Sequence, residues 1–100
     1  MTRVRVSAQA RREIDAIWLF WAARTTEEIA NREVEKIEDG LYLLGLQPGC
    51  GRRVDALCEG VSRICAGAYL IYYRHSGIAV RVEHVVRGER NQRRFLRAGR

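Results

Sequence analysis

Several things are scarce in this chain of 100 residues, and each scarcity excludes something. Of its 18 basic residues only Lys36 is lysine. Cysteine occurs three times, at 50, 58 and 65, an odd number with no C-x-x-C pair. That argues against a disulfide framework and against a zinc site, and Cys58 and Cys65 read as small apolar strand residues. No apolar run approaches the ~18 residues of a membrane span, and the opening MTRVRVSAQARREID has no signal-peptide core. Walker and G-x-G-x-x-G loops are missing. The expectation is a protein of the reducing cytoplasm without metal or cofactor.

What is present is an ordinary apolar content of 47% and a net charge of +6. The length fits one domain with a thin stability margin. Arginine forms forked hydrogen bonds to carboxylate or phosphate, so a basic, arginine-rich surface points to nucleic acid or an acidic protein partner. GC-rich codon usage accounts equally well for Arg over Lys, but not for the net charge.

Residues 3–6, RVRV, alternate as a short strand. Ser7 stands at a helix N-cap position, and Ala10, Ile14, Ile17, Trp18 and Trp21 form one face of a helix running to about Arg24. Leu19 and Phe20 fall off that stripe, leaving this helix more apolar surface than one face hides. Thr25 with Glu28 matches a capping box and opens a second helix, whose seam is Ala30, Val34, Ile37, Leu41 and Leu44. Gly40 inside it costs about 1 kcal/mol relative to Ala, which suggests a close approach to the first helix. The two helices, about 7–45, must fold back as an antiparallel hairpin.

GLQPGCG, 45–51, is the helix-to-sheet linker. The period then changes to two. Strands are expected at Arg53–Leu57, 61–66, 68–74 and 78–87, with turns at Glu59-Gly60 and His75-Ser76-Gly77. AYLIYYR, apolar on both faces, belongs at the sheet centre. In the last strand Ile78, Val80, Val82, His84 and Val86 share one face, and Arg81 and Arg87 point off it. The sheet spans about 52–87, and a basic segment, 88–100, follows. The reading is a single α+β domain, β-α-α-β-β-β-β, with the hairpin packed on a mainly antiparallel sheet.

Two groups of residues stand out. The first is the basic end, with Arg81, Arg87, Arg90, Arg93 and Arg94 in one run; a solvated charged face explains it as well as a binding surface does. The second is Trp18, Leu19, Phe20 and Trp21, which cannot all face one core. Closure over the sheet suits Trp18 and Trp21, and a contact surface suits Leu19 and Phe20. His84 on an apolar strand face reads as a hydrogen-bonded rim residue before it reads as a catalyst.

Four ordered segments carry a family resemblance: SAQARREIDAIWLFWA, LQPGCGRRVDAL, AYLIYYR and IAVRVEHVVRGERNQRRFL. Together they resemble the ParE-type toxins of the ParE/RelE superfamily. The resemblance implies a toxin that inhibits DNA gyrase without chemistry of its own. It implies a ParD-like antitoxin that neutralises it in a hetero-oligomer and alone reaches operator DNA. Arg87, Arg90, Arg93 and Arg94 are then the expected target-binding residues, and Trp18, Leu19, Phe20 and Trp21 the antitoxin-binding ones. The alternative is a RelE-like ribosome-dependent messenger endoribonuclease using Arg81, His84 and Arg90. The tyrosine that RelE proteins place after the last strand is missing, and Phe95 and Leu96, which move no proton, fill that region.

Overall fold

The computed structural model describes residues 2–88. The chain order is β1 (Arg3–Val6), α1 (Ala8–Arg24), α2 (Glu27–Leu46), β2 (Arg52–Arg53), β3 (Ser62–Ala66), β4 (Tyr69–Ser76) and β5 (Ala79–Arg87). The strands form one sheet in the order β1-β5-β4-β3-β2, in which β1 runs parallel to β5 and every other pair is antiparallel. This is the expected α+β architecture, a helical hairpin on a mainly antiparallel sheet, with AYLIYYR in the central strand.

Each helix starts where a side chain captures an orphan backbone N–H. The Ser7 hydroxyl accepts from the Ala10 amide, opening α1. At the second start the expectation of Thr25 is corrected by one residue. Thr26 caps α2, accepting from the Ile29 amide. Thr25 instead closes α1, its amide and hydroxyl both donating to the Trp21 carbonyl at 2.8 and 2.6 Å. Two adjacent threonines thus divide the end of one helix from the start of the next, leaving almost no loop.

The hairpin covers one face of the sheet. Ala10 and Ile14 of α1 and Ile37 and Leu44 of α2 pack with Ile64, Ala66, Tyr69, Ile71, Tyr73, Val80, Val82 and Val85 in the main core. Gly40 makes a close approach, but to the sheet and not to α1. A Cβ there would stand 2.8 Å from Ile71 Cδ1 and 3.0 Å from the Ala66 Cβ. The opposite face carries a smaller cluster of Val54, Val61, Leu70 and Tyr72, with Leu57, Cys58 and Val86 against it.

That second cluster explains another departure. The expected strand over Arg53–Leu57 stops at Arg53, and residues 54–60 form successive turns. Val54 and Leu57 fold over the outer face there, and Asp55 accepts from the Gly60 amide at 2.9 Å. The turn after β4 is also tighter than expected: His75 and Ser76 stay in the strand, and Gly77, at φ +57°, makes the reversal. The linker is tied down by Tyr73, whose hydroxyl accepts from the Gly51 amide and donates to the Pro48 carbonyl.

The largest departure lies in β5. Its pairing with β4 is Tyr73↔Val82 and then Tyr72↔His84, so Glu83 is an extra residue in a β-bulge. The alternation is reset there. Val80 and Val82 face the hairpin, but beyond the bulge Val85 takes that face and Val86 joins the outer cluster. The single face expected for Ile78, Val80, Val82, His84 and Val86 is therefore broken.

Gly40→Leu is expected to lower stability by about 1–3 kcal/mol through overpacking against Ile71 and Ala66, despite the better helix propensity. Chemical denaturation with the fold monitored by circular dichroism reads this directly.

Candidate partner-binding surface

The bulge decides where the last arginine of β5 points. Without it, Arg81 and Arg87 would share the outer face. With it, Arg81 stays outside, while Arg87 is brought to the hairpin side opposite Tyr69. The Arg87 guanidinium lies 5.6 Å from the Phe20 ring centre and 5.7 Å from that of Trp21, within reach of a cation–π attraction. Phe20 and Trp21 meet edge to face at 5.4 Å, and Arg24 lies over Phe20 at 4.0 Å. Ala16, Ile17, Phe20, Trp21, Tyr69 and Arg87 line an open apolar cleft of about 190 Å³.

A chain of polar contacts fixes one wall of this cleft. Trp21 Nε1 donates to the Tyr69 hydroxyl at 2.7 Å. That hydroxyl donates to Glu33 Oε1 at 2.9 Å, and Lys36 Nζ donates to Glu33 Oε2 at 2.6 Å. The Lys36 hydrogen bond holds the Glu33 carboxyl below its ordinary range against an opposing desolvation, with Tyr69, the Lys36 charge and Arg87 adding to the lowering. Burial pushes the Tyr69 phenol up, and Glu33 beside it pushes the same way. The phenol therefore stays protonated and bridges α1 to α2 as a structural donor. Glu33 and Tyr69 were not singled out in the sequence. Tyr69 belongs to the apolar AYLIYYR segment, and Glu33 lies off the apolar seam of α2.

The other candidates fall in different places. Leu19 is 62% exposed and Phe20 36%. Trp18 and Trp21 are half-buried, and Trp18 Nε1 donates to Asn31 Oδ1 across the hairpin at 2.7 Å. The tryptophans thus act in part as hairpin clamps, while Leu19 and Phe20 present apolar surface to solvent. His84 sits at the bulge with Nδ1 3.2 Å from Glu13 Oε2, and Glu13 Oε1 accepts from the Val85 amide at 2.9 Å. Glu13 thereby caps the edge of β5 just past the end of β1, a role that spacing on α1 did not reveal. Arg81 lies on the outer face, away from the cleft. Arg90, Arg93 and Arg94 lie outside the described residues. Among the described residues no group of His, Cys, Asp and Glu is arranged to hold a metal, and no helix is long and apolar enough to cross a membrane.

A family description now fits this geometry. The ParE toxin of the type II toxin–antitoxin system parDE matches residues 4–92, almost the whole chain. The chain belongs to the ParE toxin family. It is 26% identical over 96 residues to Toxin ParE1 of Caulobacter vibrioides, covering 96% of this chain and 99% of that one. Its fold resembles that of a chain from the chromosomal ParDE system of P. aeruginosa, with a TM-score of 0.77 and 20% identity over 89% of this chain and 98% of that one. As a ParE toxin it is the toxin component of a type II toxin–antitoxin system.

The Glu33 contacts have a pH signature. Its carboxyl is depressed in the folded state, so its contribution is present above an unfolded value of about 4.3 and is lost as pH falls through the folded one. Glu33→Gln should therefore be less stable than the parent near neutrality, by under about 1 kcal/mol. The gap should close toward pH 3. Urea melts at the two pH values check it; a gap that persists unchanged in acid contradicts the assignment.

Proposed function

We propose that this ParE chain inhibits DNA gyrase as a binding poison rather than an enzyme, and that a ParD-like antitoxin neutralises it. One observation supports this most: the bulge in β5 brings Arg87, the start of the arginine-rich end, against Phe20 and Trp21 of α1. Of the expected target residues, Arg87 thereby stands beside the expected antitoxin surface, Trp18, Leu19, Phe20 and Trp21. An antitoxin helix seated on Leu19 and Phe20 would lie across the root of the toxic segment. Neutralisation would work by covering that segment, and coupled folding of the antitoxin would supply the specificity.

The placement of the nuclease alternative's described residues supports the non-enzymatic reading. His84 is engaged by Glu13 of α1, while Arg81 sits on the outer face with Arg74 opposite it. A nuclease would need these groups to converge on one scissile phosphate.

Supercoiling of a relaxed plasmid by purified gyrase tests the proposal. Addition of the chain should halt supercoiling or accumulate cleaved DNA, and the cognate antitoxin should restore activity. Gyrase that works unimpaired, with translated messages cut on the ribosome instead, overturns it. Two substitutions localise the surfaces. Arg90→Ala should abolish growth inhibition while leaving the circular dichroism spectrum unchanged. Phe20→Asp should weaken antitoxin binding at least about tenfold, the loss typical of an apolar anchor at an interface centre.

A further inference from the structure

The face of the sheet away from the hairpin holds a feature that the proposed function does not use. Arg5 of β1, Arg81 of β5 and Arg74 of β4 are direct cross-strand neighbours, Arg5↔Arg81 and Arg81↔Arg74. All three are exposed. Val4, Val6, Val80, Val82 and Tyr73 take the hairpin face, so the intervening arginines share the opposite one. With strands about 4.8 Å apart, three guanidinium stems stand in a row about 10 Å wide. Arg3 is next along β1 on the same face. Like charges placed directly opposite one another in a sheet are destabilising, yet here they occur in succession.

One member of the row shows what such a site holds. Arg74 Nε donates to the Glu83 carboxylate at 3.0 Å. Glu83 is the bulge residue and points to the same side, so one carboxylate is already seated at the β4 end. Among the described residues, Arg3, Arg5 and Arg81 have no carboxylate within ion-pair distance. The end of the chain cannot supply one in quantity: residues 89–100 contain Glu89 and five arginines.

We infer that this outer face is a docking surface for an acidic peptide segment of a partner protein, whose spaced carboxylates continue the pattern begun by Glu83 and complete the row at Arg81, Arg5 and Arg3. Forked arginine–carboxylate bonds suit this geometry. A single-stranded nucleic acid would want aromatic rings on which to stack bases. Among the described residues this face shows no exposed phenylalanine, tyrosine or tryptophan: Tyr72 is fully buried, and its register partner His84 is half-buried and engaged by Glu13.

The test uses the full chain and a fluorescein-labelled oligoglutamate peptide, with binding read by anisotropy. A duplex DNA oligonucleotide of matched charge is measured in parallel. Arg5→Gln/Arg81→Gln should lose about tenfold or more in peptide affinity. The control Arg11→Gln/Arg12→Gln, with the same net charge and its changes on exposed α1, should lose no more than about twofold. Arg3→Gln/Arg5→Gln serves as a second row variant. The row variants should melt no lower than the parent, because they relieve like-charge repulsion. Equal losses in row and control variants would reduce the effect to net charge and overturn the inference. Tighter binding of the DNA than of the peptide, lost with the same arginines, would assign the face to nucleic acid instead.

Discussion

The bulge at Glu83 is the constraint on which the rest of this molecule depends. It sits where β1 ends and α1 begins. The Ser7 amide donates to the Val82 carbonyl, and the Ser7 hydroxyl donates to that of Glu83. Past that point β5 has no strand on its outer edge among the described residues, and Glu13 takes the place of one by accepting the Val85 amide. The extra residue lets Glu83 reach Arg74 on one side while Val85 fills the main core on the other. Bulges often re-aim side chains near functional sites, and this one re-aims the whole end of β5.

Each face of the sheet inherits a consequence. On the hairpin side, Arg87 arrives beside Phe20 and Trp21 and closes a cleft whose wall is fixed by Trp21, Tyr69 and Glu33. On the outer side, Arg81 remains in line with Arg5 and Arg74, before the reset. A strand with unbroken alternation would put Arg87 with the outer arginines and leave the cleft without its cationic rim. Arg87 and the outer arginines of this ParE toxin thus stand on opposite faces of the sheet, divided by one inserted residue.

Much of the architecture was legible from periodicity alone. The apolar stripes of both helices, the Ser7 cap, the glycine-rich linker and the central position of AYLIYYR follow from spacing and residue type. So does the surplus apolar surface at Leu19 and Phe20. What was hidden depends on tertiary geometry. Thr25 matches a capping box with Glu28, yet Thr26 caps α2 because Thr25 is already bonded back to the Trp21 carbonyl at the end of α1. Residues 53–57 alternate like a strand, but Val54 and Leu57 instead turn over the outer face and pack in one cluster with Tyr72. The bulge left no mark in the alternation of Val80, Val82, His84 and Val86, because Val85 and Val86 are the same residue type and either can fill the core. Glu33 and Tyr69 each looked ordinary alone, and only the fold puts them in one chain with Trp21.

The register of β5 can be measured directly. In a methyl-labelled sample, nuclear Overhauser contacts should join the Val85 methyls to the hairpin-side core around Ile14 and Ile37. Those of Val86 should join Leu70 and Tyr72 on the other face. Contacts of Val86 with the hairpin core and of Val85 with the outer cluster would mean that the strand alternates without a bulge. Arg87 would then belong to the outer face, and the account given for both surfaces would fail.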